Sequence, residues 1–193
     1  MSMVKARKVL PTLDELFFSS PAQRVIRFLL SEATSSFTLR VLISKLKGVR
    51  GLGGLEGLQD ILEEYEAAGL VEFLDNRRSV RLREEHFAVE SFKVVSALCD
   101  LESLRVLLEP LSKLGILFGS RATGKARSDS DYDVFVVTSQ ADEVVRVAGG
   151  HPLGKQIQIV CFTPENYERI NEVDPGLVKK LENGIQLWES ARW

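Results

Sequence analysis

The chain has 193 residues, 45% of them hydrophobic and 27% charged, with 14 glycines and 6 prolines. Those proportions suit one large or two small globular domains and exclude a disordered, collagenous or fibrous chain. Formal net charge is −2, split as 14 Lys+Arg against 13 Asp+Glu in residues 1–95 and 11 against 14 in residues 96–193. Neither half is basic enough to hold nucleic acid on charge alone.

The start, MSMVKARKVLPTLDELFF, is basic but has no continuous apolar run, so it does not read as a secretory signal. Ser19-Ser20-Pro21 offers caps and a first-turn proline for a helix through AQRVIRFLLSEA, with Val25, Ile26, Phe28, Leu29 and Leu30 on its apolar side. Thr38 opens a second helix, LRVLISKLK, that stops at Gly48. After the glycine-rich GVRGLGG, which has no following GK[ST] and so is no Walker loop, LEGLQDILEEYEAA reads as a third helix ending at Gly69. VEFL and SVRLR then alternate around Asp75-Asn76, the pattern of a β-hairpin.

This order resembles a winged helix-turn-helix over residues 14 to 85, and LEEYEAAGLVEF is similar to the recognition-helix end and first wing strand of winged-helix regulators. The third helix carries Glu56, Asp60, Glu63, Glu64 and Glu66 and no Lys or Arg, so it would read little sequence. Basic residues flank it: Arg40, Lys45, Lys47 and Arg50 before it, and Arg77, Arg78, Arg81 and Arg83 on the wing. Arg40, Lys45, Arg50, Arg77 and Arg78 are the candidate DNA contacts, made to phosphates and therefore weak and unselective. The alternative is a solvated basic rim on a dimerisation or partner-binding surface.

Residues 86–111 read as a connecting helix followed by the first helix of a second domain, with the boundary near residue 95 (domains 1–95 and 96–193). Cys99 and Cys161 have apolar neighbours and no CxxC or CxxH spacing, as expected of core thiols in a reducing compartment. Runs such as IVCF and VFVV are strand-sized and none is long enough to span a membrane, so a cytoplasmic protein is expected. His86 and His151 read as structural rather than ligating, Trp188 as packing and Trp193 as tail.

LGILFGSRATGKARSDSDYDVFVV, residues 114–137, carries the chemistry. An apolar strand, Gly115 to Phe118, runs into Gly119-Ser120; ten residues later Asp131-Tyr132-Asp133 leads into a second apolar strand. Alternation places Asp131 and Asp133 on one side, where two carboxylates can hold Mg²⁺. The Gly-Ser turn lets backbone N–H groups and a hydroxyl approach a phosphate. Arg121, Lys125 and Arg127 lie between the two and read equally as phosphate partners or as a solvated loop.

The combined order of strand, GS, ten residues, DxD and strand resembles nucleotidyltransferases of the polymerase-beta superfamily, most closely the small minimal nucleotidyltransferases of bacteria and archaea. KQIQIVCFTPENYERI looks like their third strand and following helix, and GIQLWES is similar to their closing segment. Some relatives also carry an N-terminal winged helix. The resemblance implies an α+β fold, with a winged helix and then a mixed sheet flanked by helices. It implies Mg²⁺ as cofactor and an NTP, with ATP expected, as substrate. Gly119, Ser120 and Arg121 would bind the nucleotide, and Asp131 and Asp133 would ligate the metal and act in catalysis. Where the family places a third carboxylate, this chain has Gln158, with Gln156 the alternative alignment and Asp129 or Glu165 as possible substitutes. An amide is no general base. The acceptor implied is a hydroxyl, which could lie on a HEPN-type protein partner with this chain as antitoxin. Two other readings stand beside it: a DNA-binding regulator whose transferase domain only senses nucleotide, and an interaction protein with both modules degenerate.

Overall fold

The computed structural model describes residues 10–190; the basic start through residue 9 and Trp193 lie outside the described residues. The chain runs α1 (Leu13–Phe17), α2 (Pro21–Ser31), β1 (Ser36–Thr38), α3 (Leu39–Lys45), α4 (Gly54–Ala67), β2 (Val71–Leu74) and β3 (Ser79–Leu82). It continues with α5 (Phe87–Leu108), β4 (Leu114–Phe118), α6 (Gly119–Ala122), β5 (Tyr132–Val137), α7 (Ala141–Gly149) and β6 (Ile157–Phe162). The last elements are α8 (Pro164–Glu168), α9 (Ile170–Val173), α10 (Pro175–Leu181) and β7 (Ile185–Glu189).

The three helices and the hairpin expected before residue 85 form where the caps and periodicity place them. Ser20 caps α2 with a reciprocal bond from Gln23, and the Thr38 hydroxyl accepts from Val41 N–H to start α3. α1 has a signature of its own, the Thr12/Glu15 capping box, which the expected elements above do not include. β1, β3 and β2 form an antiparallel sheet in that order. Leu74 pairs with Ser79, so the hairpin turn is Asp75–Arg78, and Asp75, Asn76 and Arg77 all take positive φ. Arg77 holds that conformation through Phe73, 4.0 Å beneath its guanidinium, and through ion pairs to Glu66 and Glu63. Phe18, Val25, Leu29, Leu42, Leu58, Leu62, Val71, Val80 and Val89 are fully buried in the core these elements share.

In place of two helices between residues 86 and 111, the chain forms the single 22-residue α5, about 33 Å long. No Gly or Pro interrupts residues 87–108, and Pro110 stops the helix in a short 3-10 turn. Residue 95 falls inside α5, whose Val89 packs in the first core while Leu101, Leu104 and Leu108 pack in a second. A helix that feeds two cores has apolar residues around much of its circumference, which blurs a break read from periodicity.

The second sheet has the order β6-β5-β4-β7, with β5 and β6 parallel and the other pairs antiparallel. Its alternating side chains feed two layers. Tyr132, Val134, Val136, Ile157 and Trp188 face α5 and α7, while Phe118, Phe135 and Val137 pack with Leu177 of α10. One antiparallel sheet and one mixed sheet with a single parallel pair, each packed against helices, make the fold α+β. Cys99 lies in the first core, Cys161 is half-buried against the second, and both are free thiols that burial pushes up in pKa. Among the described residues, no helix is long and apolar enough to cross a membrane.

Candidate active site

β4 ends at Phe118, and Phe118 is registered against Asp133 of β5. The next residue, Gly119, takes φ +73° and turns the chain into α6. A Cβ at Gly119 would lie 2.3 Å from Asp133 Oδ2, so the turn and the carboxylate touch through the hydrogen that replaces a side chain. Glycine is required twice over, by conformation and by contact. The two halves of the motif, ten residues apart in the chain, are therefore one site.

Asp131, exposed just before β5, and half-buried Asp133 share the face toward α10. Parallel register sets Gln158 of β6 beside Asp133, and its Nε2–H donates to Asp131 Oδ2 at 3.4 Å. Gln158 is thus the third member of the cluster, while Gln156 lies in the turn before β6. Glu165 sits in α8, beyond the opposite end of β6 from Asp131, so it cannot complete the set. Asp129 is exposed in the preceding loop.

Burial pushes the Asp133 carboxyl above its usual range, and the negative charge of Asp131 adds to the shift. The charge of Lys180, on α10, acts in the opposite direction. Lys180 has no motif around it; only the packing of α10 on β4 brings it here from 47 positions away in sequence. Two carboxylates that repel each other, with an amide beside them, form an oxygen-rich donor set that fits a hard divalent cation. Among the described residues, no group of three or more His, Cys, Asp or Glu side chains converges as a metal site.

The loop joining the turn to the aspartates is held from both ends. Arg121 donates to the Ser130 carbonyl at 2.7 and 3.2 Å and stacks 4.2 Å over the Tyr132 ring. Buried Lys93 of α5 donates to Ala126 O at 3.1 Å, and Gly124 lies against Glu90 O, where a Cβ would come within 2.2 Å. Lys125 and Arg127 remain exposed. Arg121 therefore ties the loop closed at its base and stacks on Tyr132, the ring that faces away from the aspartates.

Tyr132, between the aspartates, points to the other face. Its hydroxyl donates to Asp100 Oδ2 at 2.7 Å, and Asp100 Oδ1 accepts from Arg27 at 2.5 Å. Burial, with the Asp100 carboxylate beside it, raises the phenol's pKa, so it stays a neutral donor. Sequence spacing gives no sign of Asp100 or Arg27 in this network. Arg27 also bonds Asp14 and Ser96, so α1, α2, α5 and β5 meet at one chain of polar contacts.

The other singled-out residues separate in space and in role. Arg40, Lys45, Lys47, Arg50 and Arg78 are exposed, whereas Arg77 is engaged by Glu63 and Glu66, and Arg81 by Glu72. His86 caps α5 through Nδ1, and buried His151 bonds Ser103 at 2.8 Å. Trp188 is buried, and its Nε1–H donates to Ser112 Oγ.

The family described as Polymerase beta, Nucleotidyltransferase matches residues 113–189, the span from the start of β4 to the end of β7. A solved structure described as a candidate nucleotidyltransferase from Sulfolobus solfataricus shows 15% identity and a TM-score of 0.31, covering 54% of this chain and 87% of that one. No curated protein matches the chain.

Proposed function

We propose that the polymerase-beta-like region transfers a nucleoside monophosphate from an NTP, ATP being the expected nucleotide, to a hydroxyl, with Mg²⁺ as cofactor. The observation that carries this reading is the contact between Gly119 and Asp133, which joins the Gly119-Ser120 turn to a carboxylate pair. The Gly119-Ser120 backbone and hydroxyl would hold the triphosphate, with Lys180 near enough to Asp133 to offset charge. Asp131 and Asp133 would hold the metal ion, which when bound supplies charge neutralisation on the phosphates. The acceptor oxygen forms a bond to the α-phosphorus, the bond to pyrophosphate breaks, and pyrophosphate leaves. Gln158 can orient the acceptor but cannot take its proton, so that proton passes to a base on the acceptor or to solvent. The test is transfer of label from α-labelled ATP to co-purifying protein, with and without Mg²⁺. Transfer that survives Asp131→Ala/Asp133→Ala refutes the assignment.

The amide at Gln158 favours a second reading, in which the site binds Mg²⁺-NTP without efficient turnover and the N-terminal region reports the bound state to DNA. We assign residues 1–95 to a winged helix-turn-helix and 96–193 to the transferase-like domain, the two meeting within the shared helix α5. Support for the winged helix is the succession of α2, β1, α3, α4 and the β2–β3 hairpin, with β3 central in its sheet. With α4 acidic and Arg77 paired internally, DNA binding would rest on Arg40, Lys45, Arg50 and Arg78, and would be weak and salt-sensitive. A HEPN-type protein is the proposed acceptor, and the free thiols Cys99 and Cys161 support a cytoplasmic setting. Nucleotide binding with no label transfer to any co-expressed partner would favour the sensor.

A further inference from the structure

An open cleft of about 640 Å³ lies between α2, the turn after α3, and α5. Arg24, Arg27, Lys45, Lys47 and Arg50 line it, against one lining carboxylate, Asp100. Arg24 and Arg27 are fixed in orientation by Asp14 and Asp100. Among the described residues Lys45, Lys47 and Arg50 make no ion pair, so the cleft carries three cations beyond the two that Asp14 and Asp100 hold. Like charges gathered in a concave site raise the local potential and concentrate anions. The wall between them is apolar, with Phe28, Leu46 and Val49. A volume in the range of small-ligand sites, a cationic rim and an apolar wall with an aromatic ring together fit a phosphate ester carrying a flat ring system.

We infer that this cleft is a second nucleotide site, distinct from the Gly119/Asp133 turn, in which Lys45, Lys47 and Arg50 bind the phosphates of a free nucleotide or of the end of a single strand. Arg27 and Asp100 form its floor, and Asp100 passes its second oxygen to Tyr132. The site is therefore one residue removed from the root of the aspartate strand. The inference does not depend on the transferase reading, because binding here needs neither metal nor the aspartates.

The experiment uses the full chain carrying Asp131→Ala/Asp133→Ala, in EDTA, so that the first site is silent. Calorimetry with ADP, inorganic pyrophosphate and a 5′-phosphorylated dinucleotide reads binding, and the same titrations follow Lys45→Ala/Lys47→Ala/Arg50→Ala. Saturable binding that weakens at least tenfold in the triple variant is expected. ADP ahead of the dinucleotide identifies a free nucleotide, and the reverse order a strand end. Lys47→Glu alone, an exposed substitution, gives the same direction should the triple variant fold poorly. Absence of saturable binding, or equal loss on Arg78→Ala, a hairpin residue that does not line the cleft, overturns the inference, the latter by showing diffuse charge attraction. Binding of duplex DNA in place of all three probes also overturns it.

Discussion

Gly119→Ala tests the site most directly, because the structure separates its effect on folding from its effect on binding. The left-handed conformation at φ +73° costs an L side chain about 1–2 kcal/mol. The new methyl would also stand 2.3 Å from Asp133 Oδ2, against the usual carbon–oxygen contact of roughly 3.3 Å. Asp133 is half-buried and can swing aside, so the fold survives while the carboxylate leaves its place beside Asp131. The melting temperature should fall by about 2–8 °C, given about 2–4 °C per kcal/mol for a chain of this size. Mg²⁺-ATP affinity should fall more than tenfold, or above about 1.4 kcal/mol. Gly149→Ala is the control: it lies at the end of α7, where a Cβ meets nothing within 4 Å, and should leave both quantities within error or raise stability slightly. Calorimetric titration and thermal melts of the three proteins decide the matter. Wild-type Mg²⁺-ATP affinity in Gly119→Ala would refute the view that the turn and Asp133 form one site.

Gln158→Asp places a third carboxylate beside Asp133 in register, so label transfer should rise, up to the roughly 10²–10⁴-fold range of a general base, while the metal-free protein melts lower. A native chain already as fast as this variant would sink the idea that a missing base limits turnover. Asp133 has a folded pKa above its unfolded value, so its contribution to stability is fully present below pH 3.8 and is lost as pH rises through the folded value. At pH 7 without Mg²⁺, Asp133→Asn should therefore melt at or above the wild type, and wild-type Mg²⁺ affinity should weaken on acidification at a higher pH than for an ordinary aspartate. A variant that melts well below wild type would contradict the burial of an ionised group as the cause. Tyr132→Phe removes the bond to Asp100 and should cost about 1.5–3 kcal/mol in urea unfolding, with Mg²⁺ affinity of the folded protein within twofold, because the ring faces away from the metal side. Metal affinity lost along with stability would show that the α5 face governs the aspartates.

The helices α2, α3 and α4 and the β2–β3 hairpin were legible in the sequence because their determinants are local. Ser20, Thr38 and Gly69 act within a turn of their own positions, and apolar periodicity needs no distant partner. The same locality explains why the strand-turn-DxD order could be read as a chemical unit. Its geometry could not be read there. That Gly119 touches Asp133 follows from the Phe118–Asp133 register, and that Gln158 joins them follows from its parallel pairing with Asp133, 25 positions away. The pattern of residues 86–111 reads as two helices because one helix serving two cores loses the stripe that marks a helix with one buried face. Lys180, Asp100 and Arg27 carry no motif at all. Their places beside the aspartates, behind Tyr132 and in the basic cleft were set by how α10 packs on β4 and how α1 and α2 dock on α5. Long-range packing decides which charges share a low-dielectric space, and a linear pattern does not encode that.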